Sequence, residues 1–342
     1  MKMHVFLYEW ITGGGLVEEK GALPLSLLAE GSAMMAALAA DFAAFAGCRV
    51  SVLRDVRLEP LPVAGCEVLE VHSTADWAAE FDRLAAAADR TLIVAPEFDG
   101  ILRTTLRRVR GADGRSLNAG DPLVAVASDK HQTAERLRAA GVPAPRGRLL
   151  DADEEKLPAD FAYPAVLKPL DGAGSQHMLL VGGPGDEPPP YPWQRRLEQF
   201  WPGRAASVAV LCGPAGRHAL PPCWQHLSSD GRFRYRGGAM VREASLAERA
   251  KALALRALGA LPEAHGFVGV DLVLGTAMDG GEDAVIEVNP RVTTSYVGLR
   301  AAVHENLAQA MIDVADGARR EFTLRDETVE FSADGNVWAG WR

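Results

Sequence analysis

Short apolar runs that alternate with helical stretches across the first hundred residues constrain the fold more than any other feature of this chain. Val5 to Tyr8, Val50 to Leu53 and Leu92 to Val94 have strand length, and helical patterns over Leu25 to Ala46 and Trp77 to Ala88 separate them. Strands spaced by helices predict a parallel sheet covered on both faces. Ligands of such sheets sit beyond the carboxyl ends of the strands. Two segments fall there: Glu9 to Gly15, with its Gly13-Gly14-Gly15 run, and Pro96-Glu97-Phe98-Asp99-Gly100. Without the rest of a nucleotide fingerprint, the glycine run reads as an ordinary strand-to-helix turn.

At 342 residues the chain suits about two domains, and 48% hydrophobic residues are enough for a sizeable core. Its 36 Lys+Arg against 45 Asp+Glu give a net charge of -9, which argues against nucleic acid or anionic lipid as a partner. Cys48, Cys66, Cys212 and Cys223 are too scattered for a zinc site or a disulfide framework, so reduced thiols and a cytoplasmic setting are expected. The longest apolar stretch, Ala22 to Cys48, carries Glu30 and Asp41 and predicts a helix packed on protein, with no membrane span. Met1 to Tyr8 has too short an apolar run for a signal peptide.

Gly111 to Asp121 is polar and Gly-rich, a loop at a domain boundary. After it come a short strand at Leu123 to Ala127, a helix at Asp129 to Ala140 stopped by Gly141 and Pro143, and a strand at Ala165 to Lys168. The Pro-dense Gly182 to Pro192 is a loop; Ser207 to Leu211, Ala219 to His226 and Phe233 to Met240 form an antiparallel meander. A helix at Ser245 to Leu258, strands at Phe267 to Leu274 and Ala284 to Val288, and a helix near Leu299 to Val314 complete the pattern. No internal repeat is legible.

Of the 36 basic residues only six are Lys, so a lysine carries some information. Lys130 opens a helix, and Lys168 ends an apolar strand just before Asp171-Gly172-Ala173-Gly174-Ser175, a loop able to lay backbone N–H groups on phosphate oxygens. Together they could clamp one nucleotide; a lone lysine reads as a solvated surface charge, but less so Lys168, because an apolar strand seldom ends in Lys-Pro before a glycine loop without an anion to bind. No GxxxxGK[ST] motif occurs. Asp271 lies in the strand Gly266 to Leu272, while Glu287 and Asn289 stand two apart and therefore on one face of theirs. If the strands pair, three oxygen donors converge, a set suited to Mg2+. Pairing of Asp271 with Arg291 is the alternative. The histidines lack metal spacing, and no Ser/His/Asp triad is legible.

The order Ser128-Asp129-Lys130, Ala140-Gly141-Val142-Pro143, Pro164 to Pro169, Glu198-Gln199-Phe200-Trp201-Pro202-Gly203, Gly269-Val270-Asp271 and Glu287-Val288-Asn289-Pro290-Arg291 resembles the ATP-grasp ligases over about residues 1 to 318. The resemblance implies an α/β and α+β protein: a Rossmann-like pre-ATP-grasp domain at 1–122, followed by a two-subdomain ATP-grasp fold at 123–200 and 201–318, and a strand-like extension at 319–342. It gives ATP to Lys130, Lys168, Gly172, Gly174, Ser175 and the hinge Glu198, Gln199, Phe200 and Trp201. Mg2+, with Mn2+ as a substitute, goes to Asp271, Glu287 and Asn289. The hinge has Gln199 where many relatives carry Glu, and no acidic residue stands in Arg204-Ala205-Ala206 for the ribose.

Asn289 to Leu299, with Glu30-Gly31 and Pro96 to Leu102, is most similar to the tyramine-glutamate ligases of methanofuran biosynthesis. The implied reaction is attack of a carboxylate on the γ-phosphorus of ATP, with Lys168 and Arg291 neutralising the charge, then aminolysis of the acyl phosphate. Glu9 and Glu97 would hold an ammonium, and Arg291 and Arg242 carboxylates, with Tyr296 beside them. Tyr235 to Met240 is the candidate lid, a plain hairpin turn being the alternative. The expected partners are a small carboxylate and a small amine, and a homodimer is left open. A nucleotide-binding module without turnover and a bicarbonate-using carboxylase are the competing functions.

Overall fold

The computed structural model describes residues 3–340 except 153, 155, 173 and 174. β1 (Met3–Glu9) is buried along nearly its whole length, as a strand covered on both faces must be. With β2 (Cys48–Asp55), β3 (Glu67–Val71) and β4 (Arg90–Val94) it forms a parallel sheet in the order β3-β2-β1-β4. β3 escapes the apolar-run reading because its two glutamates leave it largely exposed at the edge. α1 (Leu25–Ala44) covers one face, where Val5 and Leu7 meet Met35, Leu38 and Phe42. α2 (Thr74–Ala87) and α3 (Ile101–Gly111) cover the other, around Phe6, Tyr8 and Phe81. α1 is long and apolar enough to cross a membrane by length and composition alone, but Met35, Leu38 and Phe42 are fully buried against the sheet. Strand order reverses between β1 and β4, so the crevice beyond Glu9 and Val94 is the switch point where such sheets bind ligands.

The strand expected at Leu123 to Ala127 is instead α4 (Asp121–Ala127). Five apolar residues are too few for periodicity to decide. Pro122 in the first turn and the Asp121 carboxylate at the N-terminus, which accepts from Arg103 and Arg107, settle it as a helix. α5 (Lys130–Ala139) follows, capped by Asp129, whose side chain accepts from the Gln132 N–H. A second, antiparallel sheet then runs β5-β8-β6-β7, from β5 (Gly147–Leu150), β6 (Ala165–Pro169), β7 (Leu179–Val181) and β8 (Arg195–Gln199). It has a small core of its own around Leu150, Leu167 and Leu197.

The remaining strands build one eight-stranded sheet. They are β9 (Arg204–Gly213), β10 (Gly216–Ala219), β11 (Cys223–Leu227), β12 (Tyr235–Met240), β13 (Gly266–Leu274), β14 (Ala284–Asn289), β15 (Thr328–Ser332) and β16 (Val337–Gly340). Their order is β14-β13-β9-β11-β12-β15-β16, with β10 hairpinned onto β9. α6 (Ala244–Gly259) packs on one face through Ala250, Leu253 and Ala254. The helix expected near Leu299 to Val314 is two helices, α7 (Ser295–Ala302) and α8 (Leu307–Ala315), on the other face. Val303 is extended between them, and Asn306 caps α8 by accepting from the Gln309 N–H. Tyr235 to Met240 is not a lid: both edges of β12 are paired, to β11 and to β15.

α1 and α7 join the first sheet to the large one. Asp41 accepts from the Tyr296 hydroxyl at 2.7 Å and from Arg300 at 2.6 and 3.0 Å. Tyr296 is fully buried there, which removes it from the substrate-contact role expected of it. Nearer the start of α1, Glu30 accepts from the hydroxyl of Thr294, the residue just before α7.

Candidate active site

A cavity of about 490 Å³ lies between the second and third sheets. Its floor is set by the pleat of β13 and β14, which pair antiparallel with Asp271 opposite Glu287 and Gly269 opposite Asn289. The three oxygen donors read from the sequence therefore share one face. Asn289 Nδ2 donates to Asp271 Oδ2 at 3.0 Å, and Gln225 Nε2 to Asp271 Oδ1 at 2.9 Å. Thr293 fits over the strand because Gly269 has no side chain; a Cβ there would stand 2.7 Å from the Thr293 methyl.

Two carboxylates this close cannot both be charged without compensation. Burial, then the charge of Glu287, pushes the Asp271 carboxyl up to about 7. Burial also works against the Glu287 charge, but Lys130 and then Lys168 outweigh it and hold its carboxyl below the ordinary value. Lys130 Nζ lies 2.6 Å from Glu287 Oε1 and donates to the Gly172 carbonyl at 3.1 Å. Among the described residues one carboxylate is thus left without a cation, and with the Asn289 amide the set fits a hard divalent ion that keeps waters and shares phosphate oxygens.

Lys168 is 1% exposed. Its ammonium stands 2.6 Å from Glu198 Oε1, while Arg196 Nε donates to Glu198 Oε2 at 2.9 Å. Arg196 is wholly buried, donates to the Pro145 carbonyl and meets His131 Nδ1 at 2.6 Å. Its guanidinium lies over Gly147, where a Cβ would come within 2.3 Å. Glu198 therefore holds Lys168, and its side chain is spent before any nucleotide arrives. Nζ makes no hydrogen bond of regular geometry, so this buried ammonium retains donors suited to phosphate oxygens.

The other hinge residues, Gln199, Phe200 and Trp201, line the cavity, and Phe200 stacks near Phe233 with ring centres 6.3 Å apart. The Trp201 indole N–H donates to the Glu282 carbonyl. Gly172 and Ser175, which follow β6, also line the cavity, Ser175 in the left-handed region at φ 57; Gly174 lies outside the described residues.

Arg291 sits in the loop after β14 and lines the cavity, with Nε donating to Glu97 Oε1 at 2.9 Å. Glu97 is thus paired with an arginine and not placed for an ammonium. Glu9 is likewise withdrawn, its carboxylate accepting from the Ile11 and Thr12 N–H groups and packing against Gly31. Arg242 is corrected as well: its guanidinium donates to the carbonyls of Arg325, Asp326 and Glu327, away from the cavity.

Three side chains of the site were not anticipated. Glu30 lines the end of the cavity opposite the hinge and accepts from the Thr294 hydroxyl at 3.0 Å; burial pushes its carboxyl up, against the pull of Thr294 and Arg291. Glu30 is one of two carboxylates in a mostly apolar helix and part of the Glu30-Gly31 resemblance, neither of which assigns it a role at the site. Gln225 and the buried Arg196 give no signal, since nothing in a short strand's sequence tells a buried polar residue from an exposed one.

Known proteins match this arrangement. Residues 48–122 match the pre ATP-grasp 3 domain, and residues 127–295 match the ATP-grasp domain. The chain belongs to the ATP-grasp superfamily and is an ATP-dependent ligase. It is 23% identical over 331 residues to the tyramine–L-glutamate ligase of Methanocaldococcus fervens, covering 96% of this chain and 99% of that one. To the enzyme of the same name from Methanocaldococcus jannaschii it is 25% identical over 240 residues, 70% of this chain and 67% of that one. The crystal structure of an ATP-grasp superfamily protein from Archaeoglobus fulgidus superposes with a TM-score of 0.69 at 22% identity, over 96% of this chain and 92% of that one, which speaks for the fold.

Proposed function

We propose that this chain joins a carboxylate of glutamate to the amine of tyramine, or of a similar aryl-ethylamine, in methanofuran-type cofactor biosynthesis. One observation carries the reading: a single cavity has a carboxylate pair on its floor with Lys130 against it, the buried Lys168 behind the lining residue Glu198, and a separate carboxylate, Glu30, at its far end. Its end-to-end match with a tyramine–L-glutamate ligase supports the choice of substrates.

In this reading the adenine lies along Gln199 to Trp201. Lys130 and Lys168 hold the phosphates, and Gly172 and Ser175 line their path. Asp271, Glu287 and Asn289 would hold Mg2+, or Mn2+, which supplies charge neutralisation on the phosphates when bound. The donor carboxylate attacks the γ-phosphorus in line, ADP leaves, and the acyl phosphate remains. Lys168 and Arg291 face the charge that builds on the transferring oxygens. The amine nitrogen then attacks the acyl carbon and phosphate departs. Glu30 attracts the ammonium form of the amine to that end and can accept its proton.

The test is ADP release measured with ATP, Mg2+ and both substrates. Glutamate and tyramine together should give sustained release and either alone little, because a site built for polar groups rejects ligands that lack them. Equal turnover with D-alanine, or release driven by bicarbonate without an amine, would overturn the substrate assignment.

A further inference from the structure

We propose that Glu97 is the positioning residue for Arg291, and that the Pro96–Gly100 loop fixes the guanidinium at the phosphate end of the cavity. The proposal rests on reading the cavity as a phosphoryl-transfer site. Glu97 comes from the switch-point crevice of the first sheet, 194 residues away in sequence from the arginine it meets. Its side chain is 3% exposed and that of Arg291 11%, so the pair is cut off from bulk water. Oε1 takes the Arg291 Nε–H at 2.9 Å, and Nη1 donates to the Val292 carbonyl at 3.2 Å. Those two bonds fix the plane of the guanidinium. Among the described residues Nη2 donates to no protein acceptor, which leaves that edge for a ligand.

Glu97 is spent on this one contact. Its other oxygen, Oε2, is buried without a hydrogen-bond partner, a cost that a residue serving packing alone would not need to carry. The loop that presents it is tied down at both sides. Asp99 and Gly100 take left-handed conformations at φ 53 and 65, and Leu102 N–H donates back to the Pro96 carbonyl. Asp99 N–H donates to Asp171 Oδ2 at 3.0 Å, at the head of the glycine-rich loop that lines the cavity. One loop therefore touches both the glycine-rich loop and Arg291, and it sets their relative placement.

The experiment compares binding of ADP with binding of ADP–fluoroaluminate, a mimic of the transferring phosphoryl group, by calorimetry in the presence of Mg2+. Glu97→Gln removes the charge that orients Arg291 while keeping the shape. It should bind ADP within about twofold of the wild-type chain but ADP–fluoroaluminate roughly tenfold or more weakly, since preorganised donors act on charge in the transition state. Glu97→Asp, which shortens the reach, should show the same split and serves if the Gln variant does not fold. In an Arg291→Lys background Glu97→Gln should add little, because residues acting as a unit are not additive.

Equal loss for both ligands, the mark of a purely structural pair, would overturn the proposal, as would unchanged fluoroaluminate affinity or full additivity with Arg291→Lys. The split in the Glu97 variants, together with no ADP release from the wild-type chain with glutamate and tyramine, would sink the substrate reading and uphold Glu97. A wild-type chain that binds ADP–fluoroaluminate no tighter than ADP would overturn both.

Discussion

Lys130 Nζ lies 2.6 Å from Glu287 Oε1, so the ammonium that opens α5 already stands beside one of the two carboxylates suited to a metal. It neutralises Glu287 and leaves Asp271 to be balanced by something else. On the proposed function, Lys130 would both compete with a divalent cation for Glu287 and supply charge to a phosphate.

Lys130→Met should separate these two effects. Without the ammonium the carboxylate pair attracts a cation more strongly, and Mn2+ titrated alone should bind roughly tenfold tighter, given the strength of a unit charge at this distance. ATP should bind more weakly in the same variant. Calorimetry that shows both ligands weakened, or neither changed, would count against the arrangement.

Lys168 and Glu198 predict a contrast between variants. Lys168→Met leaves Glu198 still paired with Arg196, so thermal stability should change little while ATP affinity falls about tenfold. Glu198→Gln leaves two buried cations without their counterion and should cost about 3 kcal/mol of stability, with ATP affinity reduced as well. Urea melts beside ATP titrations give the two columns to compare.

Glu30→Gln keeps an acceptor for the Thr294 hydroxyl but deletes the charge at the far end of the cavity. The KM for tyramine should rise roughly tenfold with ATP affinity unchanged, as expected when an ammonium loses a charged partner. A rise in the KM for glutamate alone would place the donor, not the acceptor, at that end.

His131 predicts a pH dependence. Burial, then the Arg196 guanidinium 2.6 Å away, hold its imidazolium pKa below the ordinary 6.5. Between that lowered value and 6.5 the unfolded chain binds more protons, so stability falls as pH drops below 6.5 and levels once the folded protein also protonates. His131→Gln should flatten this part of the profile. Urea midpoints at pH 8, 6.5 and 5, compared between the two proteins, read it directly.

Periodicity made much of this architecture legible. Alternating runs in the first hundred residues foretold a parallel sheet with helices on both faces, because burial on two sides demands continuous apolar strands. The spacing of Glu287 and Asn289 placed them on one face, because strand side chains alternate. Periodicity failed where the signal was short or interrupted. Leu123 to Ala127 looked like a strand until Pro122 and Asp121 were seen to start a helix, and Val303 split an apparently continuous helix. A Gly-rich stretch looked like a lid until both its edges proved to be paired.

The sequence by itself determined which chemical groups this protein carries and the order in which its elements present them. Only the tertiary structure decided which of those groups meet. Glu97 and Arg291 are 194 residues apart and Glu30 and Thr294 are 264 apart, and nothing local to either partner encodes the contact. Glu9, Arg242 and Tyr296 have the right chemistry for a substrate, yet folding commits them to backbone N–H groups, backbone carbonyls and Asp41. The reason is desolvation: a polar group carried into the interior must take whatever partner the packing brings within reach, and that partner settles whether it remains available to a ligand.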